Sequence, residues 1–212
     1  MSKILEISNA VEAGKKKVVV QLVKEALEEG LSPMDILNEG MIKAMGNVGE
    51  KFKLNEIYVP EMLVAARAMK AGVEVLKPHL GENKGASLGK FIICSVEGDL
   101  HDIGKNLVAM MVESTGYEVL DIGVDVSAEK LIAAIKENPD CNLVGLSSLL
   151  TTTMPAMKKL VAAIKEAGLD QQVKIMVGGA PITQEFADSI GADAFAADAA
   201  SAAAKAKELA AR

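Results

Sequence analysis

The sequence predicts an α/β protein in two parts: an N-terminal four-helix domain, followed by a doubly wound domain built on a five-stranded parallel sheet. Residues 1–80 carry apolar residues at helical spacing only. Residues 90–212 instead alternate short apolar strands with amphipathic helices, a pattern typical of a parallel sheet covered on both faces. Between them, residues 81–89 (GENKGASLG) are rich in glycine and polar residues, and we interpret them as a linker.

The helices of residues 1–80 are predicted from apolar spacing and from their start and stop signals. Residues 15–29 keep a helical period and end at Gly30. Ser32, followed by proline in the first turn, is a typical helix start. Pro60 opens a further helix that Pro78 ends. Four helices joined by short loops are typical of a small bundle.

In residues 90–212 each of five predicted strands is followed by a helix. The expected strand order is 2-1-3-4-5, in which ligands bind outside the carboxyl ends of the strands, between strands 1 and 3. The predicted strands are 91–96, 117–122, 142–147, 173–177 and 193–196, and the predicted helices are 103–115, 127–137, 155–167, 183–190 and 198–210.

Composition excludes several classes of protein. The net charge is −6 and aromatic residues make up 3% of the chain, so we expect no nucleic-acid binding. No apolar run approaches the roughly 18 residues of a membrane span, and the N-terminus has no signal-peptide pattern. Only two cysteines, Cys94 and Cys141, occur, both in apolar stretches. We expect them to be reduced core residues of a cytoplasmic protein.

The loop after the first strand of the sheet carries one of the two histidines of the chain. Asp99 precedes His101 by two residues, close enough to accept a hydrogen bond from one imidazole nitrogen and leave the other free to bind a metal. Gly98 and Gly104 permit a tight turn. Asp102 adds to an acidic loop that would repel a phosphate. The alternative is that His101 only caps the next helix.

The ends of the later strands carry small or hydroxylated residues. Residues 147–153 (SSLLTTT) hold five hydroxyls; Thr153 before Pro155 is a reasonable helix cap, which would use one of them. Gly178-Gly179 ends the fourth strand, and residues 196–200 (AADAA) follow the fifth. These strand ends together predict a deep slot.

In combination, these residues resemble the signature of cobalamin-binding domains. The signature is carried by Asp99-x-His101-x-x-Gly104, Ser147-x-Leu149 and Gly178-Gly179. The first half resembles the helical cap that precedes this domain in methionine synthase and in small corrinoid proteins, through residues 48–52, 56–61 and 65–69. Because the likeness covers nearly the whole chain, it implies a stand-alone corrinoid protein of the kind found in methylamine, methanol and betaine methyltransferase systems, with a flavodoxin- or Rossmann-like sheet.

The resemblance also implies roles for individual residues. The cofactor would be cobalamin or a related corrinoid, bound base-off, with His101 as the lower cobalt ligand. Asp99 would hydrogen-bond to His101, and Thr153 would extend this relay. Tyr58 would lie near the upper face of the corrin. The remaining cofactor-binding positions implied are Gly98, Leu100, Asp102, Ile103, Gly104, Ser147, Leu149, Thr151, Gly178, Gly179 and Ala199.

A corrinoid protein of this type is a methyl carrier, the corrinoid-carrying subunit of a multi-component system and no enzyme by itself. The implied partners are a substrate:corrinoid methyltransferase, a second methyltransferase that passes the methyl group to tetrahydrofolate or coenzyme M, and a reductive activase. The cofactor would supply the chemistry and the protein would tune it. No nucleic-acid or membrane partner is expected.

Three alternatives share parts of this pattern. A receiver-like domain has the same fold but needs an aspartate where Ser147 stands, and a flavodoxin-like electron carrier needs a first loop that accepts phosphate. A divalent-metal protein could use Asp99, His101 and Asp102, but a second histidine or further carboxylates at the strand ends would then be expected.

Overall fold

A computed structural model describes residues 2–80 and 88–210. The described chain divides into two compact units, one helical and one α/β, and Ser114–Gly116 are grouped with the helical unit. Of the linker assigned to residues 81–89, only Leu88 and Gly89 lie within the described residues.

The helical unit contains the expected helices, with the expected start signals. Ser32 accepts a hydrogen bond from the Asp35 amide, as a helix cap does. Pro60 lies in the first turn of the last long helix, which ends two residues before Pro78. The helices are α1 (Lys3–Glu12), α2 (Lys16–Glu28), α3 (Pro33–Asp35), α4 (Lys43–Lys53) and α5 (Val59–Leu76), followed by a 3₁₀ turn (Lys77–His79).

A π-helical segment, Ile36–Ile42, joins α3 to α4 and was not expected from the sequence. The segment buries Met41, whose terminal methyl group fills the space beside Gly72 of α5. A Cβ atom at position 72 would lie 2.5 Å from that methyl carbon, so the glycine makes room for the methionine. Most of the methionines of this unit lie in its core, namely Met41, Met45, Met62 and Met69.

The longest described helix is α5, with 18 residues. Within residues 2–80 and 88–210, no helix combines the length and the apolarity needed to cross a membrane.

The α/β unit has a five-stranded, all-parallel sheet in the order β2-β1-β3-β4-β5, which confirms the expected topology. Each predicted element is present with its ends within two residues of the expected ones. The strands are β1 (Lys90–Ser95), β2 (Glu118–Asp121), β3 (Cys141–Ser147), β4 (Lys174–Gly178) and β5 (Ala194–Ala196), and the helices are α6 (Ile103–Glu113), α7 (Ala128–Glu137), α8 (Met154–Glu166), α9 (Gln184–Ile190) and α10 (Ala199–Ala210).

Helices cover both faces of the sheet because its strands are apolar on both faces. Along β1, Ile92 and Cys94 belong to the core beneath α7, α8 and α9, whereas Phe91 and Ile93 belong to the core beneath α6 and α10. Both cysteines are buried and unpaired, as expected. Burial raises the pKa of Cys94 to about 12 and that of Cys141 to about 11, so both thiols stay protonated at neutral pH.

Candidate functional site

The loop after β1 presents a half-exposed imidazole held by a buried carboxylate. Asp99 Oδ1 lies 2.8 Å from His101 Nδ1 and accepts a hydrogen bond of 3.0 Å from the His101 amide. The Asp99 side chain is buried, whereas that of His101 is 52% exposed. The expected hydrogen bond between these two residues is therefore present. Within the described part of the chain, no protein group is hydrogen-bonded to His101 Nε2.

The second oxygen of Asp99 is held by the loop after β3. Oδ2 accepts hydrogen bonds from the Leu149 amide (2.7 Å) and the Thr153 hydroxyl (3.1 Å). Burial alone would raise the pKa of Asp99, but the hydrogen bonds from Leu149, His101 and Thr153 outweigh it and lower the pKa to about 2. Asp99 is thus a carboxylate at neutral pH. Because a carboxylate only accepts hydrogen bonds, the neutral His101 ring carries its proton on Nδ1, and its Nε2 lone pair is free.

Thr153 lies at the N-cap position of α8, as expected, but its hydroxyl makes no capping hydrogen bond to the helix. It closes a 3₁₀ turn (Thr151–Thr153), and its backbone conformation turns the hydroxyl back into the loop. The hydroxyl lies 2.8 Å from the Ser148 hydroxyl and 3.0 Å from the Leu150 carbonyl oxygen, in addition to its bond to Asp99. Thr153 therefore lies between Asp99 and the buried Ser148. Sequence reasoning counted Ser148 among five hydroxyls but had no means of singling it out.

Two further residues hold this loop, and sequence reasoning missed both. The Ser95 hydroxyl, fully buried at the end of β1, donates a hydrogen bond of 2.6 Å to the His101 carbonyl oxygen. Asp125, in the loop after β2, accepts a bond of 2.7 Å from the Gly98 amide. Gly98 has a φ of 80°, which favours glycine. Only the order of the strands brings Asp125 to this loop, since nothing in its local sequence marks it.

Large exposed apolar side chains occur in the loop that carries His101 and in the loop that binds Asp99. Leu100 and Ile103 flank His101 and are 71% and 78% exposed. Leu149 and Leu150, from the loop that binds Asp99, are also exposed. The His101 ring bonds to Asp99 and not to the backbone of α6, which speaks against a purely capping histidine. Exposed apolar residues around a fixed imidazole are typical of a binding surface.

The other predicted residues of this unit lie along the same edge of the sheet. Ser147 is aligned with Ser95 of β1 on one side and with Gly178 of β4 on the other. A Cβ atom at Gly178 would lie 2.8 Å from the Ala196 carbonyl oxygen. Thr151 is exposed in the 3₁₀ turn after β3, Asp102 and Gly104 are exposed at the start of α6, and Ala199 is buried at the start of α10.

Position 179 requires glycine because of the backbone that packs against it. Its φ is 127°, and a Cβ atom there would overlap the Ser148 carbonyl oxygen. Glycine at this position therefore lets the backbone after β4 approach the loop after β3 closely. The expected contribution of Gly178 and Gly179 to a slot for the cofactor stays a prediction.

Tyr58 lies in the helical unit, immediately before α5. Its backbone amide donates a hydrogen bond of 3.1 Å to the Glu61 carboxylate, and its side chain is 64% exposed. His79, the other histidine of the chain, is exposed in the turn after α5.

The divalent-metal alternative would need several protein ligands around one ion. Among the residues that the structure describes, no three His, Cys, Asp or Glu side chains come together as metal ligands would. The position where a receiver-like domain needs an aspartate is occupied by Ser147, at the end of β3.

Comparison with known protein families gives matches to both units. A family described as "B12 binding domain" matches residues 89–207, and a second family of the same description matches residues 4–77. Together the two cover nearly the whole chain.

Known relatives match over the same length. Dimethylamine corrinoid protein 1 of Methanosarcina acetivorans is 44% identical over 205 residues, which are 96% of this chain and 95% of the relative. Among solved structures, one chain of the methanol:cobalamin methyltransferase complex of Methanosarcina barkeri matches with a TM-score of 0.84 at 30% identity, over 99% of this chain and 80% of that chain. A cobalamin-binding protein of Desulfitobacterium hafniense has a TM-score of 0.83 at 28% identity, with 97% and 98% covered.

Proposed function

Because this chain belongs to the family of B12-binding corrinoid proteins, we propose that it is a methyl carrier with His101 as the lower ligand of the corrinoid cobalt. The carrier accepts a methyl group from a substrate:corrinoid methyltransferase and delivers it to a second methyltransferase. The observation that supports this most is the half-exposed imidazole, whose Nδ1 is held by buried Asp99 and whose Nε2 has a free lone pair.

The residues present fit a corrinoid better than a bare metal ion. A bare divalent ion takes several ligands from the protein, whereas a corrin ring already surrounds its cobalt with four nitrogens. A single protein nitrogen then suffices, and His101 is a single nitrogen ligand among exposed apolar side chains. Those side chains suit the flat apolar face of a macrocycle, and the carboxylate behind the ring matches the usual partner of a metal-bound histidine.

In this function the protein binds the corrinoid and orients the His101 ring toward its cobalt. When bound, the corrinoid supplies a cobalt that takes up and releases a methyl group. Asp99 fixes the tautomer and direction of the His101 ring. Thr153 holds Asp99 through its second oxygen. We assign cofactor contacts to the loops at this edge of the sheet, at Gly98, Leu100, Asp102, Ile103, Gly104, Ser147, Leu149, Thr151, Gly178, Gly179 and Ala199, and an upper-face contact to Tyr58.

The methyl donor to test first is a methylated amine, because a relative of 44% identity is named for dimethylamine. The proposed acceptor of the second transfer is tetrahydrofolate or coenzyme M, and a reductive activase restores the carrier. A cytoplasmic location is supported by the two buried cysteines, which are unpaired.

The test is reconstitution followed by methyl transfer. Protein loaded with cobalamin and desalted should retain about one cobalt per chain, in a visible spectrum without the dimethylbenzimidazole ligand. It should then accept methyl groups from a panel of methylamines, methanol and betaine with candidate partner methyltransferases. A desalted protein that retains no corrinoid would refute the proposal, and retention without transfer from any donor would leave a corrinoid-binding protein that is no methyl carrier.

A further inference from the structure

Asp125 is hydrogen-bonded to two consecutive residues of the turn that leads to His101. Its carboxylate Oδ1 accepts a hydrogen bond of 2.7 Å from the Gly98 amide, and its own amide donates one of 3.0 Å to the Asp99 carbonyl oxygen. Asp125 belongs to the loop between β2 and α7, on the opposite side of β1 from the loop that holds the Asp99 carboxylate. Asp99 is therefore held from both sides: its side chain by the β3 loop, its backbone by Asp125.

The backbone of Asp125 is in an unfavourable conformation. Its φ is 51°, a left-handed value that only one other non-glycine residue of the described chain adopts, Asn55 with 58°. Glycine would take this conformation without strain, and Gly123, two residues earlier, also has a positive φ, of 97°. Glycine would, however, have no acceptor for the Gly98 amide. The aspartate thus combines a strained backbone with a side-chain bond to the turn.

The segment around Asp125 continues the sheet beyond β2. The Val126 amide donates a hydrogen bond of 3.1 Å to the Ser95 carbonyl oxygen, and Val126 pairs with Val96 as an isolated parallel bridge. The Ser95 hydroxyl in turn donates a hydrogen bond to the His101 carbonyl oxygen, so the residue after Asp125 is bonded to the same serine that holds the backbone of His101.

We propose that Asp125 is a positioning residue for His101. It holds the turn at Gly98 and the backbone of Asp99 in place, so that the Asp99 carboxylate meets the imidazole Nδ1 and Nε2 faces outward. The inference rests on the proposed function only for the purpose of this positioning, which is to present a cobalt ligand. The positioning itself concerns the orientation and tautomer of the His101 ring, which are properties of the protein without its cofactor.

The test compares Asp125→Gly with Asp125→Asn in the corrinoid-free protein labelled with ¹⁵N. Asp125→Gly removes the acceptor and relieves the backbone strain, whereas Asp125→Asn keeps both an acceptor oxygen and a tolerance for the left-handed conformation. We expect exchange of the Gly98 amide hydrogen to be at least roughly ten-fold faster in Asp125→Gly and unchanged in Asp125→Asn. The His101 ring should change from the Nδ1–H tautomer to a mixture in Asp125→Gly only.

The controls are built into the chain. His79, the other histidine, gives an exposed reference ring in the same spectrum. Asn55→Gly relieves the same kind of backbone strain in the helical unit and should leave both signals unchanged. If Asp125→Gly does not fold, Asp125→Ala makes the same comparison with the strain retained.

In the loaded protein, Asp125→Gly should weaken the nitrogen splitting of the cobalt(II) electron paramagnetic resonance signal and reduce corrinoid affinity roughly ten-fold, a typical effect of losing a residue behind a metal ligand. A faster Gly98 exchange with an unchanged His101 tautomer would overturn the proposal, as would equal behaviour of the glycine and asparagine variants. Failure to bind corrinoid at all would refute the proposed function alone, because the ring is measured in the corrinoid-free protein.

Discussion

Replacing Asp99 with asparagine tests how strongly the loops at the sheet edge depend on one carboxylate. Oδ1 of Asp99 accepts from the amide and ring of His101, and Oδ2 accepts from Leu149 and Thr153. Each oxygen thus accepts from one backbone amide, and an asparagine NH₂ group must face one of the two. The Asp99→Asn variant therefore leaves a backbone N–H without an acceptor in either orientation of the amide.

Two considerations give the size of the effect on the free energy of unfolding. A buried donor left without a partner costs about 1–3 kcal/mol. The pKa of Asp99 falls from 3.8 to about 2, and at roughly 1.4 kcal/mol per pKa unit the ionised side chain contributes about 2 kcal/mol to the free energy of unfolding. Both describe the same hydrogen bonds and are not additive, so we expect Asp99→Asn to cost about 2 kcal/mol at pH 7.

This contribution depends on pH in a defined direction. Because the pKa of Asp99 is lower in the folded than in the unfolded chain, the stabilisation is complete above about pH 4 and is lost as the pH falls through the folded value. Roughly half of it is lost by pH 3. The stability difference between wild type and Asp99→Asn should therefore narrow from about 2 kcal/mol at pH 7 to about 1 kcal/mol at pH 3.

The measurement is thermal and urea unfolding of the corrinoid-free proteins, followed by circular dichroism. We expect the melting temperature of Asp99→Asn to fall by about 4–8 °C at pH 7. Asp102→Asn is the matched control, since Asp102 is exposed and lies on the other side of His101. Its stability should stay within about 0.5 kcal/mol of the wild type. Equal stability of Asp99→Asn and wild type at pH 7, or a difference that does not narrow in acid, would refute this reasoning.

Three further predictions concern other parts of the chain. His101→Ala should change stability by less than about 1 kcal/mol, because the imidazole is half-exposed, yet abolish the nitrogen splitting of the cobalt(II) resonance; survival of the splitting, or its loss in His79→Ala, would show that the ligand is misassigned. Gly179→Ala should destabilise the protein by more than about 3 kcal/mol, since its Cβ would overlap a backbone carbonyl. Gly123→Ala is the control in the same unfolding assay: its φ is also positive but the space around it is open, so it should cost about 1–2 kcal/mol. If Gly179→Ala costs no more than Gly123→Ala, the predicted overlap with the carbonyl is wrong. Glu12→Gln should lower the free energy of unfolding by about 1 kcal/mol, because two side chains of α4 donate hydrogen bonds of 2.7 and 2.9 Å to this carboxylate. Burial raises the pKa of Glu12, but these bonds lower it overall, so the stability difference measured in urea titrations should shrink below about pH 4. A difference that does not depend on pH would indicate a packing effect instead.

The sequence by itself determined the fold class and the nearest contact of the site. Alternating apolar strands and amphipathic helices specify a covered parallel sheet, since each strand must bury both faces, and the strand order followed. Asp99 and His101 are two residues apart, so a bent loop brings them together whatever the rest of the chain does. The π-helical segment before α4 escaped this reasoning, because its residues have the same apolar spacing as an α-helix within the error of one position.

The tertiary structure alone decided which residues hold that pair. The second oxygen of Asp99 is bonded by residues 50 and 54 positions later, Leu149 and Thr153, and the turn before it by Asp125, 27 positions after Gly98. These contacts arise because β1 lies between β2 and β3, so that the loops after all three strands meet at one edge. Local sequence encodes propensities over a few residues, whereas such bonds depend on strand neighbours that only the folded sheet brings together.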